Sequence, residues 1–152
     1  MAALPRYVDH NPQAVLVGEY TLQVVGCKYP EHQDAAINVA VGQQVRIVPF
    51  EAEWYEFGVP KTDPDAVKAV TLGQQQVGVL LSKEAHRFTN VLDSCGPLSV
   101  VAKVRSKWPT VYYGTRCIGS IKLTAAIYVA DEVARQTVQQ AMFDAGFRLY
   151  VA

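Results

Sequence analysis

Charge of one sign is missing from this sequence. Fourteen Lys and Arg balance fourteen Asp and Glu, for a formal net charge of zero. A protein that coats nucleic acid without selectivity needs a strongly basic surface, so that class is excluded. Any nucleic-acid site has to be a local patch on a neutral body. Cysteine is also scarce. Cys27, Cys95 and Cys117 are odd in number and widely spaced, which excludes a disulfide framework, and no CxxC pair marks a zinc site. Three reduced, mostly buried thiols are expected, because free cysteine packs as a small hydrophobe. None of His10, His32 and His86 has a second histidine three or four residues on, so no metal site is expected, and no cofactor is expected either. No apolar run reaches the ~20 residues of a membrane span. The first eleven residues show no charged start leading into an apolar run. No signal peptide is therefore expected, and a cytoplasmic location is, in a host if the chain is viral.

Half of the residues are apolar, enough for a core in one domain of 152 residues. Residues 1–13 read as an irregular tail and residues 14–152 as the domain. Val15 to Val17 and Tyr20 to Val25 suggest one or two strands. Residues 29–36 hold Pro, His, Gln and Asp and read as a loop. Residues 43–50 alternate apolar and polar with period two and read as a strand. Residues 51–64 carry Trp54, Tyr55 and Phe57 with two prolines and a glycine. They read as an aromatic loop that either covers the core or lines a site. Residues 66–72 and 76–81 make a hairpin. Ser82 follows as a helix N-cap, with Ala85, Phe88, Val91 and Leu92 at helical spacing and Gly96-Pro97 as the stop. Strands follow over 98–108 and 118–128, then a helix capped by Asp131 and ended by Gly146, then a short strand with Phe147, Leu149 and Val151. About six strands with two packed helices define an α+β fold, a small barrel or open sheet.

No P-loop, GxGxxG or GxSxG motif is present, so catalysis is not expected. Asp63, Asp65 and Lys83 together imitate a metal-dependent nuclease, a minority reading. A binding face has better support. Lys103, Arg105 and Lys107 alternate along one strand, and residues two apart on a strand share a face. Trp108, Tyr112 and Tyr113 follow. Cations that track phosphates beside rings that stack on bases are the chemistry of single-strand binding. A solvated edge that resists aggregation gives the same pattern.

Three stretches together resemble the HIRAN domain of DNA translocases and of small bacterial or viral proteins. They are VVGCKY at residues 24–29, DPDAVKAV at 63–70 with QVG at 76–78 and LSKEA at 81–85, and the aromatic strand, helix and GFRL over 127–149. The resemblance implies an OB-like or SH3-like β-barrel that captures single-stranded DNA, notably at a free 3′ end. By position it implies that Lys28 meets phosphate, Tyr29 stacks on a base, Asp63 accepts a bond from a terminal sugar hydroxyl, and Lys83 at a helix start favours phosphate. The chain departs from the family pattern at Thr62, Val79 and Ser120, where members carry aromatic or histidine side chains. The leading expectation is a non-catalytic module for single-stranded DNA, with Lys28, Tyr29, Asp63, Lys83, Lys103, Arg105, Lys107 and Tyr112 in contact. The alternative is a protein-interaction domain, such as a phage or mobile-element factor that inhibits a host protein. A translocase or nuclease is a further candidate partner.

Overall fold

The computed structural model describes residues 6–150. In chain order these form β1 (Val8–Asp9), β2 (Val15–Val25), α1 (Pro30–Asn38), β3 (Gln44–Glu56), β4 (Val59–Thr71), β5 (Gln76–Leu80), α2 (Ser82–Cys95), β6 (Leu98–Tyr112), β7 (Thr115–Val129) and α3 (Glu132–Asp144). The fold is α+β. The sheet order is β1-β6-β3-β4-β5-β2-β7, and β7 returns to pair with β6, so six strands close a ring. Closure removes most of the free strand edges that invite aggregation. Alternation along each strand fills the interior: Tyr20, Leu22 and Val24 of β2 meet Ile121, Leu123 and Ile127 of β7 and Ile47 of β3, all buried. Phe88 and Leu92 of α2 and Met142 of α3 pack onto the same core from their apolar stripes.

Several expectations change. The tail is not wholly irregular, because Val8 and Asp9 pair in parallel with Leu98 and Ser99 of β6. The loop over residues 29–36 is mostly helix α1. Pro30 opens it with its φ already set for the first turn. Only Ala35 and Ala36 are buried in α1, so it has little apolar period to betray it. Ser82 is the first helical residue of α2 rather than its cap; Leu81 takes the cap position without a side-chain bond. Asp131 does cap α3, accepting from the Ala134 N–H at 2.8 Å. The last short strand reduces to one bridge, Tyr20 to Leu149, and Val151 lies outside the described residues.

The largest change concerns residues 51–64. They are the outer part of a continuous hairpin, with β3 and β4 paired from Val45↔Thr71 out to Glu56↔Val59. Prolines are tolerated there because β4 pairs with β5 only from Lys68 onward, leaving its outer edge open. The connection is Phe57-Gly58, at φ 50° and 77°. Positive φ at both central residues is the two-residue turn that matches strand twist. The β6–β7 hairpin ends the same way, at Tyr113-Gly114, φ 50° and 77°. A left-handed conformation at a residue with a Cβ costs about 1–2 kcal/mol. Both strained rings are nevertheless exposed, Phe57 by 98% and Tyr113 by 90%. β3 meets β6 at only two rungs, Gln44↔Lys103 and Val45↔Ala102, and the pairing is antiparallel. From that junction the two hairpins therefore extend in opposite directions, as two arms.

Candidate nucleic-acid interface

β2 ends at Val25 and gives way to Gly26, whose φ of 75° starts a turn that the Tyr29 N–H closes on the Gly26 carbonyl at 3.3 Å. Cys27 points inward and is fully buried. Burial pushes its thiol up to about 11, which keeps it protonated and inert at neutral pH. Beneath the turn lies Gly78 of β5, where an added Cβ would stand 2.5 Å from the Val25 carbonyl oxygen. Gln33 of α1 ties the turn to β7. Its Nε2 donates to the Cys27 carbonyl at 2.6 Å and to the Ile118 carbonyl at 3.1 Å, and its Oε1 accepts from the Ile118 N–H at 2.9 Å.

This frame brings Lys28 and Tyr29 to the β6–β7 arm. Lys28 Nζ lies 5.7 Å from the Tyr29 ring centroid and 5.4 Å from that of Tyr112. The Tyr29 and Tyr112 centroids are 6.1 Å apart, edge to face, and Tyr113 adds a third ring 4.5 Å from Tyr112. Further down the arm Lys122 Nζ sits 5.7 Å from the Trp108 ring, and Trp108 is paired opposite Ser120. Residues 106–122 contain Lys107, Arg116 and Lys122 and no acidic residue. A cation among exposed ring faces on a basic ribbon can hold phosphate and stack a base.

The other expected residues lie elsewhere. Val25 and Lys68 both pair with Val79 of the intervening strand. Asp63 is five residues before Lys68, and Lys28 is three residues beyond Val25. β2 and β4 run the same way, so Asp63 and Lys28 fall toward opposite ends of the sheet. Asp63 is already engaged: His86 Nε2 reaches its carboxylate at 2.9 Å, and the Asp65 N–H donates to it at 2.9 Å. Burial alone would raise the Asp63 carboxyl, but these two bonds outweigh it and hold the group below its ordinary range. Lys83 stands exposed on the first turn of α2.

The stripe of Lys103, Arg105 and Lys107 does not form. β6 bulges between Val104 and Ser106, and a bulge reverses which face later residues occupy. Lys103 is paired with Thr124 on the outer face, whereas Lys107 is paired with Ile121, whose side chain is core. Lys107 Nζ donates instead to the Ile37 and Val39 carbonyls at 2.8 and 2.9 Å, satisfying the end of α1. Arg105 donates to Thr21 Oγ1 at 3.0 Å and lies 4.4 Å from the Tyr150 ring. Of the three, Lys103 is the exposed one.

Arg6 is a residue that sequence reasoning missed. Its guanidinium forks onto both oxygens of Asp93 at 2.7 Å, reaches Asp65 at 2.7 Å and donates to the Pro64 carbonyl at 3.0 Å. The Arg6 bond holds the Asp93 carboxyl below its ordinary range. A carboxylate with a depressed folded pKa contributes stability above its unfolded pKa and loses it as pH falls through the folded value. Arg6→Ala should therefore cost about 1 kcal/mol at neutral pH. Urea melts of variant and wild type should converge as pH falls below the carboxylate range. A gap that persisted in acid would mean that Arg6 acts through packing instead.

The closed six-stranded ring, with α2 between β5 and β6 and α3 after β7, is a HIRAN-like fold. The structure is similar to the crystal structure of the HIRAN domain of human HLTF, with a TM-score of 0.56 and 20% identity, over 90% of this chain and 96% of that one. No family model matches the sequence, and no curated protein does.

Proposed function

We propose that the chain is a non-catalytic module that captures single-stranded DNA, with Lys28, Tyr29 and Tyr112 as the principal contact. The observation that carries this reading is the convergence of one cation and three tyrosine rings at the tip of an arm without acidic residues. The resemblance in VVGCKY and the HIRAN-like fold support it. Asp63 and Lys83, at the other end of the sheet, are assigned to the terminal hydroxyl and its phosphate. A protein partner is the second reading, favoured by the exposed side chains of Trp54, Tyr55 and Phe57.

Fluorescence anisotropy with labelled oligonucleotides of ~10 nucleotides, carrying a 3′ hydroxyl or a 3′ phosphate, tests the proposal at two salt concentrations. Binding should weaken with salt, because phosphate contacts release counterions. Tighter binding of the free hydroxyl supports end capture at Asp63. Equal binding of both keeps the strand contact and removes the role given to Asp63. No binding at low salt overturns the DNA reading, and co-purification of one defined protein without nucleic-acid absorbance would then replace it.

A further inference from the structure

The two arms are alike in build and opposite in charge. Residues 51–63 hold Glu51, Glu53, Glu56 and Asp63 against a single Lys61, whereas residues 106–122 hold Lys107, Arg116 and Lys122 and no acid. Each arm is a two-stranded ribbon beyond the ring. β4 pairs with β3 alone before Lys68, and β7 pairs with β6 alone before Ile121. Neither outer edge pairs with a third strand there; the Gln33 side chain occupies the β7 edge at Ile118, and another ribbon can pair with the rest. Each also ends in an exposed aromatic held at positive φ, Phe57 and Tyr113, flanked by exposed Tyr55 and Val59 on one arm and Val111 on the other. At Phe57 the strained backbone displays a ring that is 98% exposed and so gains almost no packing within the fold.

The arms also leave the β3–β6 junction in opposite directions. A two-fold rotation that lays two copies side by side, end to end reversed, sets the acidic arm of each against the basic arm of the other. Both contacts then form at once and the assembly closes. We propose that a second copy of this chain docks in this antiparallel way, through the Phe57 arm of one and the Tyr113 arm of the other. The neutral total charge fits this arrangement, since a copy carries both halves of the complementary pair. The inference does not depend on DNA binding.

Sedimentation velocity on the full chain at about 0.1 mM tests it, a concentration at which even a Kd of that size leaves much of the protein paired. The wild type should sediment as a dimer in low salt and as a monomer in about 1 M salt, where the screening length is roughly 3 Å. This comparison needs no variant. Two variants then separate the arms: Glu51→Lys, Glu53→Lys and Glu56→Lys in one, Arg116→Glu and Lys122→Glu in the other. Each alone should lose most of its dimer, having two arms of like charge. Mixed one to one they should regain a heterodimer. A wild type that is monomeric in low salt, a dimer indifferent to salt, or variants that fail to pair when mixed overturns the proposal. Open-ended polymers would overturn the closed two-fold pairing.

Discussion

Alanine at Gly78 is expected to cost the fold about 3 kcal/mol, the upper part of the range for forcing an atom into a packed interior. The added Cβ would lie 2.5 Å from the Val25 carbonyl oxygen, 2.8 Å from Val24 Cγ1 and 3.2 Å from Cys27 Sγ. Val24 and Cys27 are fully buried, and a carbonyl in a paired strand cannot swing aside. The strain therefore falls on the β2–β5 seam, which has only two rungs, Val24↔Leu80 and Val25↔Val79. Opening that seam breaks the ring and shifts the turn that carries Lys28 and Tyr29. Thermal melts should show Tm lower by roughly 6–12 °C, taking about 2–4 °C per kcal/mol at this chain length. A variant within about 0.5 kcal/mol of wild type, the range of an ordinary surface change, would mean that the strands do not approach this closely.

Loss of the rings should have the largest effect on binding. Tyr29→Ala or Tyr112→Ala is expected to weaken single-stranded DNA by roughly 5- to 150-fold, the equivalent of the ~1–3 kcal/mol that stacking one base contributes. Tyr29→Phe keeps the ring face and should stay close to wild type. Lys28→Ala acts by a different route. It removes a phosphate contact, so the dependence of log K on log salt should flatten by about 0.7. Tyr29 is exposed and Tyr112 lies on an arm outside the ring, so these variants should melt near the wild-type temperature. Wild-type affinity in both tyrosine variants would move the binding face away from this end of the molecule.

The elements legible in the sequence are those with an internal period or a local cap. The alternation around Val45 and Ile47 marked β3, the spacing of Ala85, Phe88 and Leu92 marked α2, and Asp131 marked the start of α3. Helix α1 was hidden because Gln33, its main anchor, acts by hydrogen bonds to distant backbone rather than by an apolar stripe. The arms were hidden by their turns. Asn-Gly or Asp-Gly is the usual signal for this turn type, and here Phe-Gly and Tyr-Gly take its place. The cation stripe failed because a bulge is set by the partner strand, and nothing near Arg105 announces it. Lys28 and Tyr29 were marked by resemblance and Tyr112 by its charged aromatic surroundings. Their meeting depends on the long-range pairing that closes the ring.

The same closure sets an order of assembly. The β3–β4 and β6–β7 hairpins join neighbours in the chain and need only short loops to form. β2 pairs with β7 from Val15↔Val129 to Val24↔Ile121, so its partner lies 97 to 114 residues further along the chain. Contacts of such separation pay loop entropy before they return any stabilisation, and they slow folding. The ring should therefore close late, after both arms exist. Until β2 zips onto β7, the turn bearing Lys28 and Tyr29 has no fixed place beside Tyr112, and the binding face is the last part of the molecule to be made.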